Sequence, residues 1–212
     1  MSAGQCRVMT MSFCRMVICL FFLMGSTGCG ENAESWNDKA FEAFSAGRQE
    51  DAIRFFNKAV DLDPDNLMAH FYLGWIYEMQ GRADEGIAEF KKALAINPNH
   101  GGVYNRLAGI YLAKGMLDEA IEAYQKVIAL NPYSETAYYG LGIAYHRKDK
   151  FAEAGHALFE AGLLAIFRNN KRGALNAYRS LKETGNVQLA DELQKVLGPW
   201  FDPATEAVTE HK

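Results

Sequence analysis

Apolar residues recur at every third or fourth position through most of this chain, and short polar stretches separate the apolar blocks. One block contains Phe71, Leu73 and Tyr77, and the next contains Ile87 and Phe90. This spacing places the apolar side chains of each block on one side of an α-helix. The pattern therefore predicts amphipathic helices that each bury one face.

The polar stretches contain the residues that end and begin helices. Gly81 follows one block, where a helix commonly ends on a left-handed residue that glycine adopts without strain. Asp84 and Glu85 come next, and carboxylates stabilise the positive N-terminal end of a helix. Pro98 follows the second block and cannot continue a helix. We therefore predict two helices joined by a short turn at Gly81.

These features return at one constant interval along the chain. The interval is shared by prolines, by turn glycines, by a column of large side chains and by a column of small ones. Their members are Pro64, Pro98 and Pro132; Gly47, Gly81 and Gly115; Phe56, Phe90, Tyr124 and Leu158; and Ala52, Gly86, Ala120 and Ala154. Columns in register at one period predict a tandem repeat of one helix pair. The pattern then weakens, since Asp149 replaces the turn glycine and Ile166 replaces the proline.

The interval resembles that of the tetratricopeptide repeat, about 34 residues, whose pattern runs aromatic, Leu-Gly, Tyr, Ala, Phe, Ala and Pro. The second repeat shows the match with His70, Leu73-Gly74, Tyr77, Gly86, Phe90, Ala93 and Pro98 in these positions. The resemblance covers residues 35–169 and implies an all-α fold, a right-handed α-solenoid of antiparallel helix pairs. Small residues stand at Gly74, Ala108 and Gly142, where we expect neighbouring helices to approach closely.

The pattern divides the chain that follows the N-terminal segment into six parts. We predict four repeats, at about 33–66, 67–100, 101–134 and 135–168. Residues 169–198 predict a divergent helix pair with a polar outer face, which caps the end of a solenoid. Residues 199–212 contain two prolines and predict an irregular tail.

The N-terminal segment has the three parts of a secretory signal peptide. Arg7 and Arg15 precede an apolar run from Met16 to Met24, and small residues follow it. As a helix the run would be about 14 Å long, roughly half the thickness of a bilayer's hydrocarbon core. We therefore predict a signal peptide over residues 1–29 and a short linker over 30–34, rather than a spanning helix.

The end of this segment, Gly28-Cys29, resembles the cleavage site of bacterial lipoproteins, in which the cysteine becomes the lipidated N-terminus. Such sites usually carry Leu where this chain has Ser26. The resemblance implies lipidation of Cys29 and a periplasm-facing protein anchored to the outer or inner membrane of the cell envelope. An ordinary signal, cleaved or uncleaved, and a chance apolar N-terminus remain open, as does a start at Met11 instead of Met1.

Composition excludes several kinds of chemistry. The last of the four cysteines is Cys29, so the rest of the chain has no disulfide, thiolate zinc site or cysteine nucleophile. The formal charge of −4 and the absence of a basic stripe argue against nucleic-acid binding. The histidines show no metal-binding spacing, and no phosphate loop or catalytic triad is evident. We expect no enzyme activity, no metal and no cofactor.

In the resembled family, the first helices of successive repeats line a concave face where partners commonly bind. The resemblance assigns to this face Asn37, Phe41 and Phe44; Met68, Phe71, Trp75 and Met79; Asn105, Gly109 and Leu112; and Tyr139, Ile143, His146 and Arg147. Chaperone-binding members hold a terminal carboxylate with Lys and Asn where this chain has Asn37 and Phe41, so we expect that clamp to be absent. Packing between repeats is the alternative interpretation for each aromatic residue, and Trp75 and Met79 are the stronger candidates for contact with a partner.

A face rich in Phe, Trp, Met and Tyr favours an apolar or amphipathic helical segment. The leading hypothesis is therefore a membrane-tethered adaptor that binds such a segment of another protein and helps to assemble a pilus, secretion or cell-wall complex. The alternatives are a cytoplasmic or inner-membrane-anchored scaffold and an accessory subunit of an enzyme. The oligomeric state stays open.

Overall fold

The computed structural model describes residues 32–198, which form ten α-helices and no strand. The predicted all-α fold is confirmed. The predicted signal peptide with Cys29, the linker residues Gly30 and Glu31, and the tail 199–212 lie outside the described residues. Within 32–198, no helix combines the length and apolar character needed to cross a bilayer.

The described chain divides after Pro64 into two compact units. The first contains helix α1, Ala33–Ser45, and helix α2, Gln49–Leu62. Asn32 begins α1, because its side chain accepts the backbone N–H of Ser35 at 2.8 Å. The two helices bury Ala40 and Phe56 between them.

The second unit contains eight helices in four consecutive pairs. They are α3 Leu67–Met79 and α4 Ala83–Ile96; α5 Gly101–Lys114 and α6 Leu117–Leu130; α7 Glu135–Arg147 and α8 Phe151–Phe167; and α9 Lys171–Glu183 and α10 Val187–Leu197. The first helix of every pair begins with a side-chain cap, since Asn66, His100, Ser134 and Asn170 each accept a backbone N–H three residues later. In α4 and α6 the positive helix end instead carries two acidic residues in the first turn.

The apolar faces of these helices are buried between successive pairs. Phe90 and Ala93 of α4 share one core cluster with Val103, Leu107 and Ile110 of α5. Further clusters join α5 to α8 and α7 to α10. The first helices α3, α5 and α7 also contact one another in order. Each pair therefore depends on its neighbour for burial, as in other solenoids.

Glycines allow the helices to approach closely, and two of the predicted positions are confirmed. A Cβ atom on Gly74 would lie 2.9 Å from Phe90 Cδ1, and one on Gly142 would lie 2.7 Å from Leu158 Cγ. Gly140 is tighter still, since its Cβ would lie 2.2 Å from the ring of Tyr124. The sequence pattern did not identify Gly140.

The turns within the pairs use a left-handed residue, as the glycine column predicts. Gly81 and Gly115 have φ values of 73° and 75°. Asp149 takes the same position with φ 58°, so the backbone conformation is kept without the glycine. Helix α8 is different, because it has 17 residues where α4 and α6 have 14.

We predict that Gly140→Ala destabilises the second unit by about 1–3 kcal/mol, because the new methyl group overlaps the buried ring of Tyr124. Gly109→Ala is the matched control, since a Cβ there meets nothing within 4 Å. In the interior of α5 it should stabilise the helix by roughly 0.5–1 kcal/mol. Urea unfolding of both variants measures the difference, and equal midpoints would contradict the close packing.

Candidate partner-binding face

An exposed apolar stripe runs along α3. Met68 and Met79 are 45% and 46% exposed, and half-buried Trp75 lies between them on the same side of the helix. Tyr72 extends the stripe, with its ring centroid 5.7 Å from that of Trp75. This is the part of the predicted face at which large apolar side chains meet solvent.

Trp75 is held by a residue of the next pair. Arg106 of α5 places its guanidinium carbon 4.2 Å from the centroid of the Trp75 ring, a cation–π contact. The same guanidinium donates to Glu78 Oε2 at 3.4 Å. Partial burial raises the pKa of Glu78 above its usual value, and the charge and hydrogen bond of Arg106 oppose that rise.

Phe71, although predicted on the same face, packs into the interface between two pairs. Its ring lies 6.0 Å from that of Phe90 and 5.5 Å from that of His100, which caps α5. Its distance from Trp75 is 6.2 Å, so it also supports the base of the exposed stripe. Phe71 therefore has the packing role that the sequence left as the alternative.

The predicted residues of α5 form a part of the face that is more polar than the stripe on α3. Asn105 is half-buried, and the space above Gly109 is open to 4 Å. The side chain of Leu112 packs against the core cluster shared with α7, while its carbonyl accepts Arg147 Nη1 at 2.9 Å. Arg147 thus ties α7 to α5 and keeps an exposed guanidinium on this side of the unit.

On α7, two predicted residues serve mainly to join the last two pairs. Tyr139 and Ile143 pack against the C-terminal core cluster, and Tyr139 Oη lies 3.1 Å from Ser180 Oγ of α9. The ring of His146 lies 5.6 Å from that of Phe151. Its Nδ1 atom is buried and has no hydrogen-bond partner among the described residues.

Helix α9 adds a basic region whose residues the sequence analysis did not assign to the binding face. A depression of about 440 Å³ is lined by Arg172, Leu175, Asn176 and Arg179, together with Lys171. Asn176 also lines a smaller cavity, of about 150 Å³, between α7, α8 and α9. We call the solvent-facing sides of α3, α5, α7 and α9 the first-helix face; it is apolar on α3 and cationic on α9.

Three predicted residues belong to the first unit. Asn37 is buried, at 8% exposure. Phe41 packs edge-to-face on buried Phe56, with ring centroids 5.7 Å apart. Phe44 is half-buried. Asn37 and Phe41 thus contribute largely to the packing of α1 against α2.

Residues 32–198 contain no group of three or more His, Cys, Asp or Glu side chains that could hold a metal ion. His70 occupies the aromatic position of its repeat and is buried. Its Nδ1 lies 2.6 Å from Glu89 Oε2, which satisfies the ring inside the second unit. The histidine is thus part of the packing of α3 on α4.

Family models match three overlapping parts of the chain. A tetratricopeptide-repeat model matches residues 37–101, a second matches residues 89–122, and a TPR-repeat model matches residues 108–149. Together they span more than half of the sequence. The chain belongs to the tetratricopeptide-repeat family. No curated protein sequence matches it.

Solved tetratricopeptide-repeat structures share the fold. The MamA protein is 24% identical, with a TM-score of 0.64, and the match covers 80% of this chain and 96% of that one. YrrB, described as a TPR protein with an unusual peptide-binding site, is 21% identical, with coverages of 82% and 97% and a TM-score of 0.56. A protein from Parabacteroides merdae is 19% identical, with coverages of 80% and 75% and a TM-score of 0.59. At these identities the likeness shows the fold alone.

We predict that Arg106→Gln raises the pKa of Glu78 further, because burial remains while the opposing cation is removed. When the pKa of a carboxyl group is higher in the folded than in the unfolded state, the free energy of unfolding falls as pH rises from the unfolded pKa to the folded pKa. This loss of stability should be larger in the Arg106→Gln variant. Carboxyl NMR titration measures the pKa. Arg82→Gln is the control: it should relieve the lowered pKa of Glu85 and leave Glu78 unchanged. An unchanged Glu78 in Arg106→Gln would contradict the contact.

Proposed function

We propose that this tetratricopeptide-repeat protein is a non-catalytic adaptor that binds an apolar or amphipathic helical segment of a partner protein on its first-helix face. The observation that carries the proposal is the exposed stripe of α3, in which Met68, Trp75 and Met79 lie on one side of the helix. Soluble proteins seldom leave a row of large apolar side chains exposed without a partner.

The chemistry of the stripe suits helix recognition. Tryptophan is prominent among the residues that dominate binding energy at interfaces, and methionine side chains adapt to partners of different shape. Arg106 holds the indole of Trp75 before a partner arrives. Less conformational entropy is then lost on binding than with a free side chain.

The cationic end of the face refines the chemistry expected of the partner. Arg172 and Arg179 border the depression on α9, and Arg147 lies exposed on α7. A partner segment with apolar residues for α3 and acidic residues toward α9 would match both ends. The peptide-binding site attributed to YrrB offers a parallel within the same fold.

We also propose that the adaptor is tethered to a bacterial membrane through a lipid on Cys29 and works in the cell envelope, in assembly of a pilus, secretion or cell-wall complex. The supporting observation is the order of the N-terminal sequence, in which Arg15, the apolar run Met16 to Met24 and Gly28-Cys29 follow one another. An acyl chain and a protein-binding face would together hold a partner at the membrane.

A photocrosslinker at Met79 tests the binding face. We expect it to give a defined partner adduct in cells, whereas one at Lys91, exposed on α4, should not. Trp75→Ala should reduce the yield of the Met79 adduct roughly tenfold or more. An aromatic side chain that becomes buried in an interface contributes about 2 kcal/mol or more to the binding free energy. Equal adducts from Met79 and Lys91, or no effect of Trp75→Ala, would contradict the proposed face.

Cys29→Ser tests the tether separately. The substitution should remove acyl labelling and release the protein from the membrane fraction, while the Met79 adduct tests partner binding independently. Cys19→Ser is the matched control, since it changes a cysteine inside the apolar run. Membrane association without any acyl label in the unmodified chain would exclude lipidation.

A further inference from the structure

Two aromatic side chains protrude at one edge of the second unit. Phe167, the last residue of α8, is 85% exposed, and Tyr133, in the turn before α7, is 65% exposed. They stand one repeat period apart in sequence, although Phe167 ends the longer helix α8 and Tyr133 lies in the turn after α6. One period before Tyr133, the turn between α4 and α5 has Asn99. The aromatic character is therefore specific to the C-terminal repeats.

The two loops that carry these residues are joined. Asn170 Nδ2 donates to Glu135 Oε1 at 2.8 Å, which connects the loop after α8 to the start of α7. The last residue of α6, Leu130, is also exposed, at 42%. Leu130, Tyr133 and Phe167 thus lie at the same ends of their helix pairs, in or next to the loops that lead to the following pair.

The backbone around Phe167 is fixed. Asn169 adopts the left-handed conformation, with φ 57°, and its N–H donates to Ile166 O at 2.9 Å. The next residue, Asn170, donates its N–H to Ala165 O at 2.8 Å. These bonds close the end of α8 in a Schellman-like turn. The exposed phenylalanine therefore sits on an ordered turn that costs little entropy to dock.

Positive charge surrounds the exposed ring. Arg168, Lys171 and Arg172 are exposed, and none of them forms an ion pair with another described residue. The turn residues 131–134 and 168–170 contain no acid, and Glu135 accepts the hydrogen bond from Asn170. This edge is locally cationic in a chain whose formal net charge is −4. We call Tyr133, Phe167, Arg168, Lys171 and Arg172 the aromatic–basic edge.

The opposite ends of the helix pairs differ in charge although they also expose an aromatic. Phe151 is 48% exposed there, but Lys150 pairs with Glu153 at 4.0 Å and Lys148 pairs with Asp118. Both cations are thus neutralised within the chain. The two edges provide a natural comparison, since each has an exposed phenylalanine beside an exposed cation.

We propose that the aromatic–basic edge docks on the surface of an anionic bilayer. Phe167 and Tyr133 enter the headgroup region, and Arg168, Lys171 and Arg172 contact lipid phosphates. Aromatic rings favour the membrane interface, and each Lys or Arg near an anionic surface adds about 1 kcal/mol of attraction, or roughly a fivefold gain. A planar surface can receive both loops at once.

A bilayer fits this edge better than a protein or peptide does. Protein hot spots are anchors that pack into enclosed, dehydrated pockets. Phe167 instead protrudes with 85% of its surface exposed, so this chain encloses little of the ring. Insertion into lipid requires no such wall. Lys171 and Arg172 also line the α9 depression of the first-helix face, but the inference depends neither on the partner proposed for that face nor on the lipid at Cys29.

Hydrogen exchange on the full chain tests the inference locally, so binding by the N-terminal segment does not obscure it. With vesicles of phosphatidylcholine and phosphatidylglycerol, exchange of residues 164–172 should be slower than with vesicles of phosphatidylcholine alone, because each of the three cations favours the anionic surface by roughly fivefold. The double variant Phe167→Ser, Arg168→Gln should lose this protection. The matched double variant Phe151→Ser, Lys150→Gln on the opposite edge should keep it.

Unchanged exchange of 164–172 with anionic vesicles, or equal protection by uncharged vesicles, would overturn the proposal. Concentration-dependent protection without any vesicle would assign the edge to a second copy of the chain instead. Protection by an acidic peptide but not by vesicles would assign it to a protein partner. Thermal unfolding of both double variants checks that each is folded, which the exposure of Phe167 leads us to expect.

Discussion

The stacking of the second unit depends on close contacts in which a large side chain of one helix lies against the bare backbone of another. Phe90 packs over Gly74 within one pair, and Tyr124 packs over Gly140 between two pairs. A methyl group at either glycine would displace a buried ring. These contacts set the distance between helices, so the first helices can lie beside one another and share hydrogen bonds. The continuous first-helix face is a consequence of that spacing.

Each first helix therefore packs against its neighbours with one side and contributes to the first-helix face with an adjacent side. On α3, Phe71 points into the interface with the next pair while Met79 remains exposed. Trp75 lies between these roles, half-buried and covered on one side by Arg106. A residue held in this way presents a fixed apolar surface, and binding then need not order it. The contacts that stabilise the repeat thus also hold the side chains of the first-helix face in position for binding.

Local features of the repeat were predictable from sequence because each depends on a few neighbouring residues. The turn at Gly81 follows from its place after an apolar block, and the close approach at Gly74 follows from its column. The period could not separate half-buried Trp75 of the stripe from Tyr139, which packs against the next pair, since both occupy lining positions. The residues of α9 could not be assigned to the face for a different reason. Helix α8 is longer than its counterparts by almost one turn, so positions extrapolated at the repeat period no longer coincide with those of α9.

The extra length of α8 also bears on how such an array could have grown. Solenoids lengthen when a whole module is duplicated and the new copy stacks in the register of the old. Copies inserted before α7 would meet surfaces of matching spacing. A copy inserted after Phe167 would instead be followed by α9 and α10, which begin later in the sequence than the repeat period predicts. An added copy of the regular pair would therefore match the spacing of α3 to α6 better than that of α8 to α10.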